Sequence, residues 1–228
     1  MRWLTEAGIT RRIDPLEPKE IVLWLARVSR LRHAAAREAD TLSAERAAKV
    51  LDAEENDRMA RFVHIEDRMS YLAAHAGARL LLGRLADRPA EALRFEPSAH
   101  GKPVLVAGPA NLDFSLSHAR GAVAVAAACM PVGVDIEPLR EVADMDSISE
   151  IVLAAEEQET LRNAPAVLRS RLFLRYWTLK EAVLKAAAVG FTIAPNAVIV
   201  DPGASPAVLS VPPALGSAAQ WRLIAPAI

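Results

Sequence analysis

Two short segments concentrate the residues able to do chemistry. Gly133-Val134-Asp135-Ile136-Glu137 sets two carboxylates at i and i+2, and in an extended chain such side chains leave from one face. Trp177-Thr178-Leu179-Lys180-Glu181-Ala182-Val183-Leu184-Lys185 sets Trp177, Glu181 and Lys185 at successive i+4 steps, one face of a helix. Three carboxylates and a lysine converging on one point would seat a hard cation and the phosphates it neutralises. Each segment also has a plainer reading: acidic residues where a strand meets solvent, and a surface Glu181–Lys185 ion pair in the favourable orientation. Two features speak against it. The residues before Asp135 are apolar, so the carboxylates stand at the mouth of a buried strand, and close carboxylates repel unless a cation lies between them. Trp177 on the charged face suits a cleft wall better than open surface.

Other candidates are weaker one by one. His118 follows the apolar run Phe114-Ser115-Leu116-Ser117, and a histidine at a strand end is more often a satisfied surface group. Arg58, Arg61 and Arg68 crowd one segment; they read first as polar helix faces, and as a phosphate site if several converge. Gly101-Lys102-Pro103 is a turn by composition. No Gly-x-x-x-x-Gly-Lys loop, dinucleotide-binding glycine pattern, His-Glu-x-x-His or Gly-x-Ser-x-Gly occurs. P-loop ATPases, Rossmann dehydrogenases, zinc proteases and α/β-hydrolases lose support accordingly.

The 228 residues, 52% of them hydrophobic, suffice for one large domain or two small ones. A net charge of −1 argues against a nucleic-acid partner. Cys129, the one cysteine, excludes an intrachain disulfide and fits a reducing compartment. The first ten residues lack a signal-peptide pattern, and the longest apolar stretch, 122–134, is too short to span a bilayer. A cytoplasmic protein with no membrane partner is expected.

The elements that must carry these residues follow from the patterning. Ile21–Ala26 reads as a strand. Ser43-Ala44-Glu45-Arg46 is a near capping box opening a helix that runs to Val63, and a second helix spans 66–86 before Pro89. Leu93–Glu96, Leu112–Leu116, Ala122–Ala128 and Val132–Ile136 read as strands, with a turn at 117–121 and Pro138 ending the last. Helices follow at 148–163 and 168–189, with Gly190 as the C′ residue. After Thr192 only strands and loops are expected, among them a strand at 221–225. Strand, two helices, strands occurs in each half, which predicts an α+β fold of two similar lobes, 1–118 and 119–228, each a small, mostly antiparallel sheet packed with helices.

Together these segments resemble the 4′-phosphopantetheinyl transferases, specifically the long, two-lobed, surfactin-synthetase-activating type. The resemblance rests on Gly133 to Glu137 and on Trp177-x-x-Lys180-Glu181-Ala182-x-x-Lys185. His100-Gly101-Lys102-Pro103, Ser115-Leu116-Ser117-His118 and the stretch from Arg61-Phe62 through Asp67-Arg68 to Ala73-Ala74-His75 support it, all in the family's order. It implies transfer of phosphopantetheine from coenzyme A to a serine of an apo acyl or peptidyl carrier protein, releasing 3′,5′-ADP. Asp135, Glu137 and Glu181 would hold Mg²⁺, with Glu181 also the general base, and Lys185 and His118 would stabilise charge on the phosphates. Gly101, Lys102, Pro103, Ser117 and Lys180 would contact coenzyme A, with Arg58, Arg61 and Arg68 on its 3′-phosphate. The first lobe then takes the nucleotide side, the second the metal and catalysis. The long type is expected to be monomeric, because one chain supplies both lobes.

The chain departs from the family at Ser115, where Asn is frequent, and at Ser70 and near Glu55, where basic residues are frequent. Two rivals therefore stay open: a Mg²⁺-dependent nucleotide diphosphate hydrolase sharing the carboxylates, and a non-catalytic module that binds coenzyme A or a carrier.

Overall fold

Two apolar runs, one early and one near the middle of the chain, build the first sheet. The computed structural model describes residues 1–4, 16–28, 44–109 and 111–225, in two units, Met1–Pro138 and Leu139–Ile228. In chain order the first unit carries β1 (Arg2–Leu4), β2 (Ile21–Arg27), α1 (Ala44–Val50), α2 (Ala53–Ala60), α3 (Ile65–Leu85), β3 (Phe95–Pro97), β4 (Pro103–Leu105), β5 (Asp113–Ala119) and β6 (Ala122–Ala128). One sheet has the order β1-β2-β6-β5, antiparallel except for the parallel pair β1–β2; β3 and β4 form a separate hairpin.

Period-2 alternation sends Val22, Trp24 and Ala26 of β2, with Val123, Val125 and Ala127 of β6, into one core with Tyr71, Leu72, Leu81 and Leu82 of α3. Leu23, Ala126 and Ala128 point the other way, into a smaller cluster with Val132 against which Val134 also packs. Both faces of β6 are covered, which is why its sequence is apolar without interruption. Close approach of α3 to β2 depends on Gly77, where a Cβ would lie 2.1 Å from the Trp24 ring.

Several expectations change in this unit. The helix predicted from Ser43 to Val63 is two helices, because Asp52 is extended and starts α2 with a capping box. Its carboxylate accepts from the Glu55 N–H at 2.9 Å, and the Glu55 side chain accepts from the Asp52 N–H at 3.1 Å. The predicted cap at Ser43 lies outside the described residues. The lobe boundary predicted at residue 118 falls inside β5, which pairs with β6 over its whole length, from Asp113 opposite Ala128 to Ala119 opposite Ala122; the units divide after Pro138. Val132–Ile136 is not a strand of the sheet; the N–H groups of Val132, Val134 and Ile136 bond to side chains of β5.

The second unit carries α4 (Met145–Val152), α5 (Ala155–Asn163), α6 (Ala166–Ala187), β7 (Ile199–Asp201) and β8 (Ala207–Ser210). Its core joins Leu153, Leu161, Phe173, Leu174, Leu179 and Val183 to Val198 and Val200. The helix predicted over 148–163 is split where Leu153 and Ala154 turn extended. α6 ends at Ala187, and Ala188, not Gly190, takes the left-handed position directly after it, with φ 54°. The strand predicted at 221–225 is absent; a 3₁₀ turn at Ala218–Gln220 leads into it, and the Trp221 indole donates to Leu215 O at 3.1 Å.

Each unit thus runs two short helices, a long helix and a hairpin, and each buries a paired basic side chain at a matching place. In the first, the fully buried Arg79 of α3 donates from Nε to Glu55 Oε2 at 2.6 Å, from Nη2 to Asp52, and from Nη1 to Ala90 O and Leu93 O. In the second, the fully buried Lys180 of α6 donates to Glu157 Oε2 at 2.6 Å and to Pro195 O and Val198 O. Glu55 and Glu157 are both the third residue of the second helix, and both carbonyl pairs are three residues apart. This is the residue-level repeat behind the two similar lobes of a mixed α+β fold.

Candidate active site

In the first unit the site residues gather along β5. Alternate side chains Asp113, Ser115 and Ser117 leave the face opposite α3 and meet the segment 132–136. Asp113 Oδ2 accepts from the Val132 N–H at 2.7 Å, Ser115 Oγ from the Val134 N–H at 3.1 Å, and Ser117 Oγ from the Ile136 N–H at 3.4 Å. Ser117 Oγ donates to Asp135 Oδ1 at 2.7 Å. Lys102 Nζ closes the start of the segment, 2.6 Å from Asp113 Oδ2 and 3.0 Å from Val132 O. Asp135 and Glu137 are half-buried, as is His118 near the end of β5.

These bonds alter two assignments. Lys102 was expected beside coenzyme A, yet its ammonium is engaged with Asp113 and Val132. Ser117, expected there as well, is buried and spends its proton on Asp135. Gly101 and Pro103 hold their expected turn: Ser98 N donates to Lys102 O at 2.8 Å and Gly101 N to Ser98 O at 2.9 Å. Gly101 takes φ 84° with open space where a Cβ would stand, so its backbone angle alone requires glycine.

Arg58 and Arg61 are exposed at the end of α2, while Arg68 is half-buried in the first turns of α3. Its Nη2 donates to Phe62 O at 3.0 Å, and its buried Nε has no hydrogen-bond partner among the described residues. A charged donor without an acceptor is costly, and an anion oxygen would satisfy it. Ser70, where the family resemblance leads to the expectation of a base, is buried and ties α3 to β5, donating to Glu66 O at 2.9 Å and Ala119 O at 3.3 Å.

Glu55, the other departure, belongs to a buried network that the sequence reading missed. Beside Arg79 it engages His75 Nδ1 at 3.0 Å. Burial pushes its carboxyl up, but the His75 hydrogen bond and the Arg79 charge prevail and hold it below the ordinary 4.5. Tyr71 stacks on His75 with ring centroids 3.9 Å apart and meets the His118 ring edge-on at 6.2 Å. Burial, aided by the Glu55 charge, pushes its phenol up to about 12. The i, i+4 spacing of Tyr71, His75 and Arg79 was the available signal.

In the second unit α6 carries the remaining candidates. Trp177, Glu181 and Lys185 lie half-buried on it at the expected i+4 steps, and the Trp177 ring tilts against Phe173 at 6.2 Å. Lys180 is a correction. It was expected to bind coenzyme A, but it faces the core, fully buried, with its donors used by Glu157, Pro195 and Val198. Burial lowers its pKa, against the raising effect of Glu157.

The first unit carries the extended acidic segment with Asp135 and Glu137, and the second a long helix bearing Glu181 and Lys185. Comparison with known proteins identifies the family. Residues 131–223 match the model of the 4′-phosphopantetheinyl transferase superfamily, and residues 39–130 that of the 4′-phosphopantetheinyl transferase N-terminal region. The 4′-phosphopantetheinyl transferase HetI of Nostoc sp. is 31% identical over 180 residues, 78% of this chain and 73% of that protein. The transferase psf-1 of Bacillus pumilus is 31% identical, covering 58% and 55%. The human L-aminoadipate-semialdehyde dehydrogenase-phosphopantetheinyl transferase is 31% identical, covering 63% and 50%. The chain belongs to the 4′-phosphopantetheinyl transferase superfamily and is of its long type, with both family regions in one polypeptide. Among the described residues no helix is long and apolar enough to cross a membrane.

Proposed function

We propose that this chain transfers 4′-phosphopantetheine from coenzyme A to a serine hydroxyl of an apo carrier protein, releasing 3′,5′-ADP, as a cytoplasmic monomer. What supports this most is the match over 180 residues to HetI, with Asp135, Glu137, Glu181 and Lys185 all present. Carboxylate oxygens are the hard donors that Mg²⁺ takes, and the chemistry of Asp135, Glu137 and Glu181 fits that ion. Bound there, it would neutralise the pyrophosphate of coenzyme A and make its phosphorus more electrophilic.

The residues of the chain do the rest. Glu181 takes the serine proton as the hydroxyl oxygen bonds to the phosphorus that bears pantetheine. The bond from that phosphorus to the departing nucleotide oxygen breaks, and Lys185 and His118 offset the charge that grows on the phosphate oxygens. Arg68, whose Nε has no hydrogen-bond partner among the described residues, would take the 3′-phosphate, with Arg58 and Arg61 adding charge around it. Gly101 and Pro103 form the adenine-side turn.

Incubating the protein with coenzyme A, Mg²⁺ and a panel of apo carrier proteins, then weighing the carriers intact, tests the reading. A phosphopantetheine mass shift on at least one carrier is expected, with loss in Glu181→Ala. A protein that binds coenzyme A but labels no carrier in the panel, or that cleaves coenzyme A without labelling, refutes it.

A further inference from the structure

We propose that Asp113, Ser115 and Ser117 of β5 are positioning residues that set the register of 132–136, and so the aim of Asp135 and Glu137. The inference rests on the metal reading above and goes beyond it by assigning the support.

A segment carrying metal ligands needs its backbone fixed, and the usual device is a ladder of backbone hydrogen bonds. Here no strand pairing is assigned to the segment among the described residues. Residues 132–136 form no strand, yet the N–H groups of Val132, Val134 and Ile136, two residues apart, each find a β5 side chain two residues further on. The matched period of two makes the three side chains a surrogate strand edge. A slip by one residue would break all three bonds and turn Asp135 to the other side. Val132 and Val134 pack on the sheet face that holds Leu23 and Ala126, so apolar contact and polar bonds specify the same register. Ser117 acts twice, accepting from Ile136 N and donating to Asp135 Oδ1, which orients a carboxylate as an outer-shell partner does. Ser115 and Ser117 are 5% and 6% exposed, so water does not compete for these bonds. Lys102 joins the set: its bonds to Asp113 and Val132 O lock the first rung.

Ser115→Ala removes the middle rung alone. Loss of an outer-shell partner costs about 10–100-fold in metal affinity, and Ser115, which acts through the Val134 backbone, should fall at the low end of that range. Calorimetric titration of Mn²⁺ into protein saturated with coenzyme A should therefore show Mn²⁺ binding weakened about tenfold or more. Hydrogen exchange at Val134 N–H should quicken, and kcat should return toward wild type once Mn²⁺ saturates. Ser115→Thr, which keeps the hydroxyl, should restore affinity. Asp135→Ala is the control for the metal reading. If Asp135→Ala loses Mn²⁺ binding while Ser115→Ala binds as wild type does, the positioning role is overturned and the metal reading stands. If Asp135→Ala itself binds Mn²⁺ as wild type does, the metal reading falls and the positioning role with it. Should Ser115→Ala fail to fold, Asp113→Asn, which weakens the first rung and its Lys102 pair, carries the same expectations.

Discussion

Replacing Lys180 with methionine separates two accounts of a residue that sits inside the most diagnostic motif of the chain. In the structure the side chain is fully buried, 2.6 Å from Glu157 Oε2, with the carbonyls of Pro195 and Val198 as its other acceptors. Removing the ammonium leaves Glu157, 2% exposed, with the N–H groups of Ala154 and Val200 but no cation. Breaking a buried pair on one side costs about 3–5 kcal/mol. At this chain length about 1 kcal/mol moves Tm by roughly 2–4 °C, so Lys180→Met should melt roughly 6–20 °C below wild type. The KM for coenzyme A of the folded protein, measured well below that melting range, should not change. Glu181→Ala, one residue on and half-buried, should do the reverse, ending carrier labelling with little change in Tm. Differential scanning calorimetry and carrier labelling by intact mass read both variants. If Lys180→Met melts within about 2 °C of wild type, the shift expected of a surface substitution, and raises KM for coenzyme A, then Lys180 is a ligand and the structural account is wrong.

Further outcomes follow from the buried groups of both units. Gly77→Ala drives a Cβ into the Trp24 ring, an overpacking that should lower stability by about 1–3 kcal/mol in urea unfolding; an unchanged midpoint would contradict the packing of α3 on β2. Glu55 is held below its ordinary 4.5, so the stability it contributes is full above about pH 4.5 and lost as pH falls through the lower folded-state value. The urea-midpoint gap between wild type and Glu55→Gln should accordingly narrow below about pH 4.5, and a gap constant down to acid unfolding would rule that out. Tyr71 and Tyr176 are the only tyrosines, and burial raises both phenols. Phenolate absorbance should rise only as alkali unfolds the chain; a tyrosine ionising near pH 10 in native protein would contradict the burial of both rings.

The sequence by itself determined what repeats at short range. Strands β2 and β6, the long helix α3, the i+4 face of Trp177, Glu181 and Lys185, and the family itself were legible, because periodicity and motif spacing are local properties of the chain. It also showed carboxylates at Asp135 and Glu137, two residues apart. Helix breaks at Asp52 and Ala154 were not legible, since apolar spacing continues across them while the caps depend on Glu55 and Glu157, whose other oxygens are claimed by distant His75 and Val200. Tertiary structure alone revealed the partners of Lys180, Lys102 and Ser117. A charged or hydroxyl side chain in a motif looks the same whether it faces a ligand or a buried partner, and only its position in three dimensions supplies the acceptor that claims its protons.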